Sequence, residues 1–269
     1  MILHGVDFTS APSRRKGITT ASGEMQQGVL VLKSLQSLHD FGDFEAWLRR
    51  PGPWIAGFDL PFSLPRELIE HLGWPTQWAG LINHLRETPR AELRSTFKAF
   101  CDARAAGNKF AHRATDVPAG SSPSMKWVNP PVAYMLHAGA PRLLDAGVLI
   151  PGMYGGAGLP DSRIALEAYP GMLARSITTA SYKSDDKAKH TEARTDRREQ
   201  IVVALEAGRY KLGVPLLCGP YRHALIADAS GDYLDAVLCA LSAAWGWQRR
   251  DHSYGLPAFD ALEGWIVGA

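Results

Sequence analysis

Residues 231–247, GDYLDAVLCALSAAWGW, constrain this chain more than any other stretch. Their spacing predicts a helix whose stripe of Leu234, Val237, Leu238, Leu241 and Trp245 is apolar. Ala236, Cys239, Ala240, Ala243 and Ala244 cover much of the opposite side with small residues, so the helix suits close burial on both sides. From 233 to 247 a single charge interrupts it. That charge is Asp235, which borders the stripe, with Asp232 roughly 60° further round. An ionised carboxylate is costly to bury unless it is paired, hydrogen-bonded or bound to a metal.

The same pattern recurs three times on strand-like runs: Asp7 in HGVDFTS, Asp59 in AGFDLPF and Glu167 in IALEAYP. Pro or small hydroxyl residues follow each acid within three positions, which places it at the exit of its strand. In open α/β sheets ligands bind outside the carboxyl ends of the strands, so three exits have a common place to meet. An all-oxygen set without His or Cys suits Mg²⁺ or Mn²⁺ better than zinc. Two such ions about 3.5 to 4 Å apart activate water and stabilise the leaving oxygen in phosphodiester cleavage. The residues also admit plainer roles. A strand-end Asp is often a turn former, Asp232 after Gly231 is a natural helix cap, and Glu167 has Lys183 or an arginine as a possible ion-pair partner.

The rest of the chain reads as α/β with a mixed sheet. Residues 2–9, 17–23 and 28–35 look like an antiparallel meander, 40–50 like a helix stopped by PGP, and 54–62 like another buried strand. The stretch 62–161 is too long for a structureless loop and shows helical patterns near 65–72, 77–87, 90–106 and 140–146. It is expected to be an inserted helical subdomain, with the Ser/Pro/Gly-rich 117–131 as its mobile loop. Strand character returns at 162–170, and RHALIA (222–227) fits a strand or a helix turn. The expected division is therefore 1–61 and 162–269 as two parts of one core, with 62–161 between them.

With 29 basic against 27 acidic residues, any argument for an acidic partner must rest on local clusters. Arg90, Arg94 and Lys98 follow i, i+4 spacing, a basic stripe able to track phosphates or simply to be solvated, and Arg113 lies just beyond in NKFAHRATD. Lys183 in SYK follows the Glu167 strand closely enough to serve as a phosphate-neutralising group. Three scattered cysteines indicate neither a disulfide framework nor a zinc site. The N-terminus has no targeting pattern and no window is long and apolar enough to span a membrane, so a cytoplasmic protein is expected.

The segments GVDFTSAPSRRKG, AGFDLPFSLP, LEAYPGMLAR and GDYLDAVLCALSAAW resemble, in order, those of domain-of-unknown-function family 429, described as predicted nucleases with an RNase H-like fold. The resemblance implies a five-stranded mixed sheet with flanking helices and a helical insertion after the fourth strand. Asp7 would lie on the first strand, Asp59 on the fourth, Glu167 on the fifth, and Asp232 and Asp235 on the last helix. By that likeness Asp7 bridges two metals while Asp59 and Asp235 hold one each. The expected activity is nuclease cleavage of DNA or RNA by metal-activated water. A non-catalytic RNase H-like binding protein is the alternative. So is a small-molecule phosphohydrolase, against which the lack of a GxxxxGK loop counts.

Overall fold

A computed structural model describes residues 1–105, 107–155 and 162–269. Its sheet is built from β1 (Ile2–Asp7), β2 (Ile18–Gln26), β3 (Val29–Leu38), β4 (Trp54–Asp59), β5 (Arg163–Glu167) and β6 (Leu216–Leu217), in the order β5-β4-β1-β2-β3-β6. The meander β1-β2-β3 is antiparallel, and β4, β5 and β6 join it in parallel pairings. Gln27 and Gly28, with φ of 49° and 83°, turn the second hairpin in two residues, since a tight hairpin needs left-handed backbone there. The sheet therefore has six strands where five were expected. The sixth is two residues pairing with Leu30 and Val31, too short to carry a period in the sequence.

Ten α-helices are found among the described residues. They are α1 (Phe41–Leu48), α2 (Arg66–His71), α3 (Trp78–Glu87), α4 (Arg90–Asp102), α5 (Asp116–Ala119), α6 (Val132–Ala146), α7 (Pro170–Arg175), α8 (Glu192–Glu206), α9 (Arg222–Ala227) and α10 (Asp232–Gln248). RHALIA is thus helical. The helix expected at 140–146 begins at Val132 instead and carries Pro141 inside it, the residue that reads as a break in sequence. The expected mobile loop at 117–131 contributes Ala119, Ser124 and Met125 to the buried interior, so at least this part of it is packed. The outer ends of the 90–106 pattern and of the 62–161 segment fall on 106 and 156–161, outside the described residues.

Strand alternation sorts the interior into two layers. On one face Val6, Ala56, Phe58 and Ala165 pack with α1, α3, α4 and α6, so the buried side chains of the 62–155 segment share a cluster with the sheet. On the other, Leu3, Ile55, Ile164 and Leu166 pack with α8 and α10. No helix among the described residues is long and apolar enough to cross a membrane.

Candidate active site

The site begins with two glycines. Gly5 and Gly57 are register partners on β1 and β4, and α10 lies on them. A Cβ on Gly5 would collide with the Ala236 carbonyl and the Ala240 amide, and one on Gly57 with the Cys239 carbonyl. The small side of α10 thus meets the sheet backbone to backbone. Asp7 and Asp59, themselves register partners, lie two residues beyond the glycines on the same face. Asp235 lies one turn before Cys239 on the same side of α10. Sheet and helix thereby bring Asp7, Asp59 and Asp235 to one place.

Their electrostatics record the crowding. Burial raises Asp7 well above the usual carboxylate range, and Asp235, Asp59 and Asp232 add to the rise against the opposing pull of Lys183. Burial, then Asp235, pushes Asp59 up to about 7, again opposed by Lys183, with a smaller push from Glu167. Two adjacent carboxylates short of positive charge are the donor chemistry of a hard cation.

Asp235 is the deepest of the three, with 0% of its side chain exposed. Its Oδ1 accepts a hydrogen bond from the Tyr182 hydroxyl at 2.5 Å, and its Oδ2 is paired with the Lys183 ammonium. The role of metal ligand expected for Asp235 meets a carboxylate whose two oxygens are both engaged. Burial lowers the Lys183 ammonium, but the charges of Asp235, Tyr182 and Asp7 outweigh it and hold Lys183 well above its ordinary value. With 42% of its side chain exposed, Lys183 reaches this pair from the open side. Among the described residues no three His, Cys, Asp or Glu side chains are grouped to hold one metal ion. Asp7 and Asp59 are the two carboxylates here that would have to hold an ion. A second would compete with Lys183 for Asp235.

Asp232 is the first residue of α10 and does not cap it. The cap position belongs to Gly231, with φ of 76°, while Asp228 Oδ2 accepts from the Tyr233 amide at 3.0 Å. Asp232 instead lies 4.0 Å from Lys16 Nζ, which also bonds Asp185 at 2.6 Å. Burial raises Asp232 against the pull of Lys16.

Glu167 takes the ion pair with an arginine that its sequence also allowed, and Arg113 takes a role other than the phosphate binding expected of it. Glu167 pairs in register with Phe58, so its side chain leaves the face opposite to Asp59. There Arg113 holds it with two bonds of 2.8 and 2.6 Å, and the Phe62 amide donates a third at 3.0 Å. Arg113 also binds Asp116 at 2.9 Å. A buried arginine spent on two carboxylates is structural, which removes it from the phosphate-binding groups and Glu167 from the free catalytic acids. Of the basic stripe, Arg90 donates to the Ser10 carbonyl at 2.8 Å beyond β1, Lys98 is paired with Asp102 one turn on, and Arg94 is exposed.

Two clefts flank Asp59. One of about 220 Å³ lies toward the helical layer, and one of about 280 Å³ lies between α7 and residues 178–183. Both are lined by Asp59, Tyr169 and Lys183. The sequence reading passes over Tyr182, Lys16 and Tyr169. Tyr182 and Tyr169 adjoin residues it singles out, in SYK and EAYP, but a tyrosine carries no signal there until its partner is known. No protein-family model, curated protein or solved structure matches the chain, and the site is read from its own geometry.

Proposed function

We propose that this chain is a divalent-metal-dependent nuclease built on an RNase H-like sheet, with Asp7 and Asp59 holding Mg²⁺ or Mn²⁺. The observation that carries the reading is the meeting of Asp7, Asp59 and Asp235 around Lys183 at the exits of two parallel strands. When bound, the ion supplies Lewis-acid stabilisation and a water of lowered pKa for attack on phosphorus. Lys183, oriented by Asp235 and Tyr182, neutralises a phosphate arriving from the open side. Asp232 keeps Lys16 near the same mouth. Arg90 fixes the backbone after β1, leaving Arg94 as the member of the basic stripe open to a strand of phosphates.

The test is Mn²⁺-dependent cleavage of mixed DNA and RNA substrates by the wild type, Asp7→Asn and Asp59→Asn. Both variants should lose more than the about 100-fold that even outer-shell partners of a metal command. Equal activity in all three proteins would reject the reading.

The engagement of both Asp235 oxygens favours a second reading, a non-catalytic nucleic-acid-binding protein whose acids are internally neutralised. It requires nucleic-acid binding that is insensitive to Mn²⁺ and never leads to cleavage.

A further inference from the structure

The cleft of about 220 Å³ is half open to solvent and is bounded by different layers of the fold. Leu60 and Pro61 follow β4, Val132 and Met135 come from the first turn of α6, and Ile266 comes from the C-terminal tail. The tail is fixed beside β5, where the Val267 amide donates to the Glu167 carbonyl at 2.9 Å. The far wall holds Arg113 and Glu167, whose charges are spent on each other, so it offers no free ion. At the near end stand Asp59, the aromatic ring of Tyr169 and the Lys183 ammonium. With a cation held at Asp59 that end would take a phosphate, while the lining of Leu60, Pro61, Val132, Met135 and Ile266 suits a flat, largely apolar ring.

Its size narrows the occupant. A volume of about 220 Å³ lies below the roughly 300 Å³ at which pockets begin to hold a drug-sized molecule. One heterocycle is within its capacity and a base pair is not. A base stacked inside a duplex enters a cleft of one heterocycle's size only by leaving the stack.

We propose that this cleft is a nucleobase pocket, which takes one unstacked base of a single strand while its phosphate lies at Lys183. The proposal rests on the nuclease reading and gives the helical segment a task, since α6 supplies the wall that selects for the base. The second cleft, lined by Thr178, Thr179, Ser181 and Arg175, continues the path past Asp59 and carries the neighbouring backbone. Thymine suits the apolar walls as well as any base, so thymidine is the probe.

The experiment measures binding by fluorescence anisotropy in Ca²⁺. The ligands are a short oligothymidylate, an abasic chain with the same number of phosphates, the oligothymidylate paired with oligoadenylate, and thymidine monophosphate. The thymidine strand should bind between about fivefold and about 150-fold more tightly than the abasic chain, the range for one stacked base. Met135→Trp, which fills the cavity, should abolish that preference and leave affinity for the abasic chain unchanged. Val132→Phe is the second filling variant, and thermal melting confirms that each protein is folded.

Equal affinity of the wild type for thymidine and abasic strands, or a preference that survives both fillings, overturns the pocket. A duplex or a free mononucleotide binding as tightly as the strand overturns the single-strand assignment. The two readings separate cleanly. Base preference without Mn²⁺-dependent cleavage of any substrate sinks the nuclease reading alone, and cleavage without base preference sinks the pocket alone.

Discussion

Lys183 closes its ammonium on Oδ2 of Asp235, a carboxylate with none of its side chain exposed, while 42% of the lysine side chain remains in contact with solvent. Removing one partner of a fully buried pair costs about 3–5 kcal/mol, because the other charge is left uncompensated. Water reaches Lys183, so the loss on Lys183→Ala should be smaller, about 1–3 kcal/mol. Urea titration reads this directly. In the proposed nuclease activity should fall further than stability, since Lys183 is there the cation that meets the phosphate, and a variant of full activity would deny Lys183 that role.

The glycines under α10 give a sharper stability prediction. Gly5→Ala pushes a methyl group into the backbone of α10, and overpacking against atoms that cannot rotate away should cost at least about 3 kcal/mol. Gly155→Ala meets nothing within 4 Å among the described residues and should stay within about 0.5 kcal/mol of wild type. Comparable unfolding midpoints for the two variants would contradict the close seating of α10.

Asp7 and Asp59 make the protein sensitive to pH. Both are raised in the folded chain, Asp59 from 3.8 to about 7, so the folded state keeps protons that the unfolded state has released. Stability conferred by Asp59 is therefore full below about 4 and falls as pH rises through about 7, at up to about 1.4 kcal/mol per pH unit. Thermal melting from pH 4 to pH 8 should show this decline, and Asp59→Asn should flatten it. A divalent cation that replaces the protons should stabilise the wild type more at pH 8 than at pH 6.

Arg113 predicts the opposite balance of effects. Arg113→Ala strands Glu167 and Asp116 in the interior and should cost about 3–5 kcal/mol. Arg113→Lys recovers little of it, because an ammonium cannot hold both carboxylates in the planar geometry of a guanidinium. The salt dependence of nucleic-acid binding should be unchanged in any folded Arg113 variant, since the guanidinium lines the cleft with its charge held by Glu167 and Asp116 and meets no phosphate.

The basic stripe of α4 is separable by the same measurement. Arg94→Ala should lower the slope of log affinity against log salt by about 0.7–0.9, one phosphate contact. Lys98→Ala should change it far less, because Lys98 is already paired with Asp102. Identical slopes for the two variants would show that α4 does not follow the strand.

The sequence makes the acids legible, because a charge stands out in an apolar run and the Pro or hydroxyl residues after it mark a strand exit. The seating of α10 is half legible: its small residues announce a close approach, but nothing says that Gly5 and Gly57 receive it. Glu167 misleads for a physical reason. Both faces of β5 are buried and apolar, so no polar alternation reveals that Glu167 turns away from Asp59. The ion pairs are opaque, since Lys183 and Asp235 are 52 positions apart and Arg113 and Glu167 are 54, and pairing at that distance follows only from topology. Pro141 hides half of α6, because a proline tolerated within a packed helix looks in sequence like its end.

The contact of α10 with Gly5 and Gly57 divides the site into a chassis and its tooling. A helix resting on bare backbone has no cushion of side chains in which to slide, so the height of Asp235 above Asp7 and Asp59 is set once, when the chain folds. The walls around those acids, α6 on one side and residues 178–183 on the other, meet their neighbours through side chains, Gly139 of α6 facing Leu60 and Phe8 and Gly231 facing Lys183. Changing what these clefts accept therefore means rewriting the walls, while any change to the glycines would move the acids themselves.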